Sequence, residues 1–197
     1  MSRVGHVIGN GDNAVMYKPS KGFKVTCNIP PFEVNNVYTT CLVDFKMMKA
    51  MTEGSVYIPG EWTLGYRPKV WMQNNPAFHM KVAQQIKGFY LELPKYVSNY
   101  TDFNCGHMAT HYTANHLQCE EIHMYGFDSI FDFNLRSCTD MYLNSDRSLS
   151  NNNRLANNWR PVWGNLFNEF PNTEFIIHHE HSDIKIKLPK NVTVNTK

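Results

Sequence analysis

The chain has 197 residues, 42% of them hydrophobic and 13% aromatic, enough apolar material for the core of one domain. Its formal net charge of +2 is too small to announce nucleic acid by itself, because backbone binding shows as a clustered basic face. No window approaches eighteen consecutive apolar residues, and the opening MSRVGHVIGNGDN has no basic stretch followed by an apolar one, so a cytoplasmic protein without a membrane span is expected.

The first predicted element is the β-like run VGHVIG, which passes directly into Gly9, Asn10 and Gly11. Such a turn lets backbone amides approach a phosphate or sugar, although the third glycine of a dinucleotide fingerprint and the Lys-Ser/Thr of a P-loop are missing. FKVTCN is the second run and ends at Cys27 and Asn28, VYTTCLVDF is the third and ends in Asp44, and SVYIPG is the fourth. A helix-like AFHMKVAQQIKGF follows. Asn104, Cys105 and Gly106 then open a run with Thr110, Thr113, Ala114 and Leu117 along one side, and EEIHMYGF is a strand closed by Gly126 and Asp128. The polar run LNSDRSLSNNNRLANN, residues 143–158, predicts a loop or lid. RPVWGNLFNEFP places Val162, Trp163, Leu166, Phe167 and Phe170 on one helical face before Pro171, and TEFIIHH is the last strand. The tail, 184–197, carries Lys185, Lys187, Lys190 and Lys197 with no acid after Asp183, either a solvated end or a stretch that steers a polyanion. Short strands alternating with helices predict an α/β fold: a single Rossmann-like domain over residues 1–197, its mostly parallel sheet flanked by helices.

In an open α/β sheet, ligands bind beyond the carboxyl ends of the strands. Gly9, Asn10, Gly11, Asn28, Asp44 and Asp128 are therefore expected to converge on one edge. The five cysteines, Cys27, Cys41, Cys105, Cys119 and Cys138, form no Cys-x-x-Cys pair and read as reduced, mostly buried thiols. His107 and His111 share a helical face, with Cys105 and Cys119 near in sequence, as in some zinc sites. No Glu lies between them and no third ligand has a fixed spacing, so no metal is assigned. The chain also lacks an Asp-x-Asp pair for a divalent ion on a sugar diphosphate.

VIGNG, FKVTCN and NCGHMATHYTANHLQCEEIHMYGFD, taken in order, resemble the successive motifs of the bacterial sialyltransferases, whose fold is a variant GT-A, Rossmann-like sheet. The resemblance spans about two thirds of the chain and rests on short motifs. In that family the Gly-Asn-Gly loop and the Asn after the second strand hold the cytidine nucleotide. A Ser-Gly turn before the long helix holds the donor, and a Gly-x-Asp strand end lies in the same pocket. The resemblance implies donor roles for Asn10, Gly11, Asn28, Cys105, Gly106 and Asp128. The chain departs from the family in three places. Cys105 stands where the family has Ser, no His lies between His123 and His178 to match the family's catalytic His, and Asp44 stands at a strand end that bears an amide in the family.

The function expected from this resemblance is an inverting, metal-independent glycosyltransferase, with a CMP- or UDP-linked nucleotide sugar as co-substrate and no other cofactor. The acceptor is a hydroxyl on a glycan or on a hydroxymethylated base in DNA. Inversion needs a base for the acceptor proton. Asp44 is the first candidate, if it faces the pocket rather than solvent, and His181 the second. Tyr142, Arg154 and Arg160, in or beside the polar lid, are candidates to meet the leaving phosphate. The rival classes are a non-catalytic nucleotide-binding protein and a zinc-dependent hydrolase.

Overall fold

The structure is a computed structural model in which residues 2–133 and 149–197 are described. Eight strands of the described residues form one sheet: β1 (Val4–Ile8), β2 (Phe23–Cys27), β3 (Val37–Leu42), β4 (Trp62–Leu64), β5 (Ile86–Phe89), β6 (Glu121–Tyr125), β7 (Glu174–His178) and β8 (Val192–Asn195). Their order is β5-β4-β3-β2-β1-β6-β7-β8, and every neighbouring pair is parallel. The chain thus winds outward from β1 to one edge, returns to lay β6 beside β1, and winds outward again. The reversal opens a crevice beyond the carboxyl ends of β1 and β6.

Among the described residues six α-helices accompany the strands: α1 (Phe45–Thr52), α2 (Tyr66–Asn74), α3 (Pro76–Val82), α4 (Cys105–Asn115), α5 (Leu149–Arg154) and α6 (Arg160–Glu169). Alternation along each strand sends successive side chains to opposite faces. Val7, Val25, Ile122, Met124 and Phe175 pack under α4 and α6 with Met108, Trp163 and Phe167. On the opposite face Leu42, Trp62 and Leu64 pack against Met47, Met48 and Met72 of α1 and α2. A third, smaller cluster sets Ile8 and Tyr125 under Ala14 in the short turn Asp12–Met16.

The structure moves several expected boundaries. Residues 55–60 are not a strand: Val56 and Ile58 are buried, but Pro59 has no N–H for a ladder, and pairing begins at β4. The helix expected over 77–89 ends with α3 and a short turn, and its last residues become β5, because pairing with β4 outweighs helical propensity there. The expected lid is helical where it is described. α5 continues through a π-helical turn, Leu155–Trp159, into α6, with Leu155 buried as its anchor, while residues 143–148 lie outside the described residues. The basic tail ends in β8, whose Val192 is buried and pairs with Phe175. No helix among the described residues is long and apolar enough to cross a membrane.

Candidate functional site

The crevice at the β1/β6 reversal is a cavity of 190 Å³ whose lining includes Gly9, Asn10, Gly11, Asn104, Gly106 and Asp128. Three of the expected segments do converge, but the glycines act differently from the sequence expectation. The Gly9 amide donates to the Tyr125 carbonyl at 2.7 Å and the Gly11 amide to that of Gly126 at 3.1 Å. Neither is left for a phosphate. A Cβ on Gly11 would sit 2.5 Å from the Asp128 carboxyl carbon, and one on Gly9 would lie 2.8 Å from the Gly126 carbonyl oxygen. These glycines let the β1 and β6 loops interlock.

Free donors come instead from α4. An α-helix leaves its first N–H groups without intrahelical partners. The Asn104 side chain accepts that of His107 at 3.0 Å, and the His107 ring accepts the Asn104 amide in return, a closed capping box. The amides of Cys105 and Gly106 have no partner among the described residues, at the positive end of an eleven-residue helix. Gly106 is there for packing as well as access, since a Cβ would lie 2.8 Å from the Phe127 ring. Asn10 donates to the carbonyls of Cys27 (2.8 Å) and Ile29 (2.5 Å), joining the β1 and β2 loops. Asn28 holds a left-handed φ of 52°, donates to the Asn10 side-chain oxygen at 3.5 Å, and buries an Oδ1 without a partner among the described residues.

Asp128 is the one carboxylate that the described residues bring to the crevice lining. Burial pushes its carboxyl above the usual range, opposed by hydrogen bonds from Asn13 and from the Asp12 backbone. Its Oδ2 accepts the Asn13 amide at 3.4 Å, whereas its buried Oδ1 has no hydrogen-bond partner among the described residues and lies 3.7 Å from His179 Nδ1. His179, one residue past β7, stacks on Phe131 with ring centroids 3.6 Å apart. The Glu180 amide donates to the Asn13 side chain at 2.9 Å, pinning this segment to the β1 loop.

Other expected site residues are placed elsewhere. Asp44 caps α1 by accepting the Lys46 amide at 2.9 Å, and it stands after β3, two strands from β1 and outside the crevice lining. The Cys105 thiol points into the core and donates to the Cys41 carbonyl at 2.9 Å. Arg154 pairs with Asp102 at 3.3 Å and donates to the Thr101 carbonyl at 2.8 Å. Arg160 donates to the carbonyls of Ser129 and Asp132, at 2.8 and 3.0 Å, and covers the Phe133 ring. It lines a separate groove of 550 Å³ with Lys185 and Lys187. Tyr142 lies outside the described residues.

The zinc-like spacing of His107 and His111 does not assemble a ligand set. The His107 ring is fully buried, with its Nε2 on the Trp159 carbonyl at 3.1 Å, and His111 bonds Tyr90 and Glu169. His181, half-exposed, meets Asp132 at 3.2 Å and His179 at 3.3 Å. Sequence reasoning missed His179 and Asp132. The available signal was positional, since one follows β7 directly and the other stands four residues after Asp128, on adjacent strand ends. Comparison with models of protein families, with curated proteins and with solved structures finds no match for this chain.

Proposed function

We propose that the crevice binds the phosphate-bearing part of a nucleotide sugar, CMP- or UDP-linked, and that the protein is an inverting glycosyltransferase of the sialyltransferase-like, variant GT-A kind. The observation that carries this reading is the meeting of the Gly9–Gly11 loop, the Asn104–Gly106 helix start and Asp128 in one crevice, since these are the motifs of the resemblance. The two free amides at the start of α4 suit a phosphate, which gains from both the N–H groups and the helix dipole. With Asp44 engaged as a helix cap, Asp128 is the carboxylate offered to the acceptor hydroxyl. The acceptor is a glycan or a hydroxymethylated base in DNA. The groove with Lys185 and Lys187 suits an anionic one.

A second reading, a non-catalytic nucleotide-binding protein, is favoured by the engagement of Asp44, Arg154 and Arg160 with other partners. Incubation with a panel of CMP- and UDP-sugars, together with glycans and hydroxymethylated DNA, separates the two by mass spectrometry. Transfer appears as a mass gain on the acceptor, and Asp128→Asn lowers kcat by roughly 10²–10⁴ with donor affinity retained. Calorimetric binding of nucleotide without any mass gain supports the second reading. No binding of CMP or UDP at all removes both.

A further inference from the structure

Asp132, His179 and His181 come together just outside the crevice, on the ends of the β6 and β7 segments. His181 Nε2 is 3.2 Å from Asp132 Oδ2, His179 Nε2 is 3.3 Å from His181 Nε2, and His179 Nε2 is 3.9 Å from Asp132 Oδ2. The point in their plane equidistant from these three atoms lies about 2.0 Å from each, the length of a bond from zinc to imidazole nitrogen or carboxylate oxygen. We propose that Asp132, His179 and His181 hold a divalent transition-metal ion of the zinc type.

The buried face of His179 supplies a second, independent observation. The residue is 1% exposed, its Nδ1 has no hydrogen-bond partner among the described residues, and that nitrogen lies 3.7 Å from Asp128 Oδ1, itself buried and unpartnered. A ligating histidine donates its other ring N–H to a carboxylate in most metal sites. Ligation through Nε2 fixes the proton on Nδ1, where a small approach gives both orphaned atoms a partner. Ligation also places the His181 proton on Nδ1, so the amide of exposed Asp183, now 3.2 Å from that nitrogen, turns away. Two imidazoles with one carboxylate suit zinc or cobalt, whereas magnesium and calcium take oxygen sets. Three protein ligands leave a position open for water or a ligand. The site stands on its own geometry and does not require the nucleotide reading, although Asp128 touches both.

The test uses the full chain, stripped with chelator and free of nucleotide, titrated with Zn²⁺ by calorimetry and with Co²⁺ by visible absorption. One ion per chain is expected, with the intense visible bands of low-coordinate Co²⁺ and no uptake of Mg²⁺. Asp132→Asn and His181→Ala, both at half-exposed positions, should each lower affinity at least tenfold, and Asp128→Asn by about 10–100-fold through loss of orientation. His123→Ala breaks the other close imidazole pair, His123 with His178 at 2.9 Å, and should leave binding intact. Circular dichroism of each variant separates a lost site from a lost fold. Absence of Zn²⁺ binding to the folded native chain overturns the proposal. So does binding that survives in folded Asp132→Asn and His181→Ala, or that disappears in His123→Ala. Because nucleotide is absent, either result leaves the crevice to be judged separately.

Discussion

Asn10 joins two loops with one amide group. Its Nδ2 satisfies the carbonyls of Cys27 and Ile29, and its Oδ1 receives the Asn28 side chain. Truncation to Ala would remove both bonds and let the β1 and β2 loops separate. Asn10→Ala should therefore lower unfolding free energy by about 1–3 kcal/mol, the net worth of two partly buried hydrogen bonds. Urea titration checks it, and an unchanged midpoint would return Asn10 to a purely ligand-facing role. The sequence marks Gly9, Asn10 and Gly11 as special but cannot say why. The reason lies in contacts such as Gly11 with Asp128 and Glu180 with Asn13, between residues far apart in the chain. Asp44 was misread for a different reason: its position after a strand suggests a base, although its bond to the Lys46 amide is the local one of a helix cap.

At the scale of elements, α4 is the part on which fold and site both depend. It packs on β1, β2, β3 and β6, and its buried face runs almost the whole way round, from Cys105 through Ala114. Its start was readable from Asn104, Cys105 and Gly106 ahead of the run Thr110, Thr113, Ala114 and Leu117, whereas the capping box between Asn104 and His107 was not foreseen. Asn104→Ala removes one half of that box and should destabilise the protein by about 0.5–2 kcal/mol. The same change lets the first turn fray, so nucleotide affinity should fall at temperatures where the chain remains folded. Calorimetry beside thermal melting distinguishes this from a cap of purely structural value, for which affinity stays constant. Other elements were missed or misread. α2 has no clean apolar stripe to announce it, α1 was passed over although Met47, Met48 and Met51 share one face behind the Asp44 cap, and β5 carries the residue pattern of the helix before it. Both α2 and β5 are fixed by neighbours in space.

The whole molecule is a parallel sheet whose two layers of cover bury several histidines away from water. His107 is the clearest case. Burial lowers its pKa to about 3, partly offset by the Trp159 carbonyl, and the rings of Phe103 and Trp163 beside it carry no charge. His6, on the other face of the sheet, is lowered too, chiefly by burial. A histidine whose folded pKa lies below its unfolded value of about 6.5 takes up its proton more readily when the chain unfolds. Its stabilising contribution is complete above pH 6.5 and is lost as pH falls from there toward the folded pKa. Each such group adds a slope of up to about 1.4 kcal/mol per pH unit in that window. Unfolding free energy from urea titrations should accordingly be flat between pH 7 and 8 and decline steeply from pH 6.5 to 4. His107→Gln keeps an acceptor for the Asn104 amide, as a capping box allows, but has nothing to titrate. That variant should be less stable at pH 7.5, because the bond to Trp159 is altered, yet its decline below pH 6.5 should be shallower by about one proton. An acid limb as steep as that of the native chain would show that His107 is not held neutral by the fold.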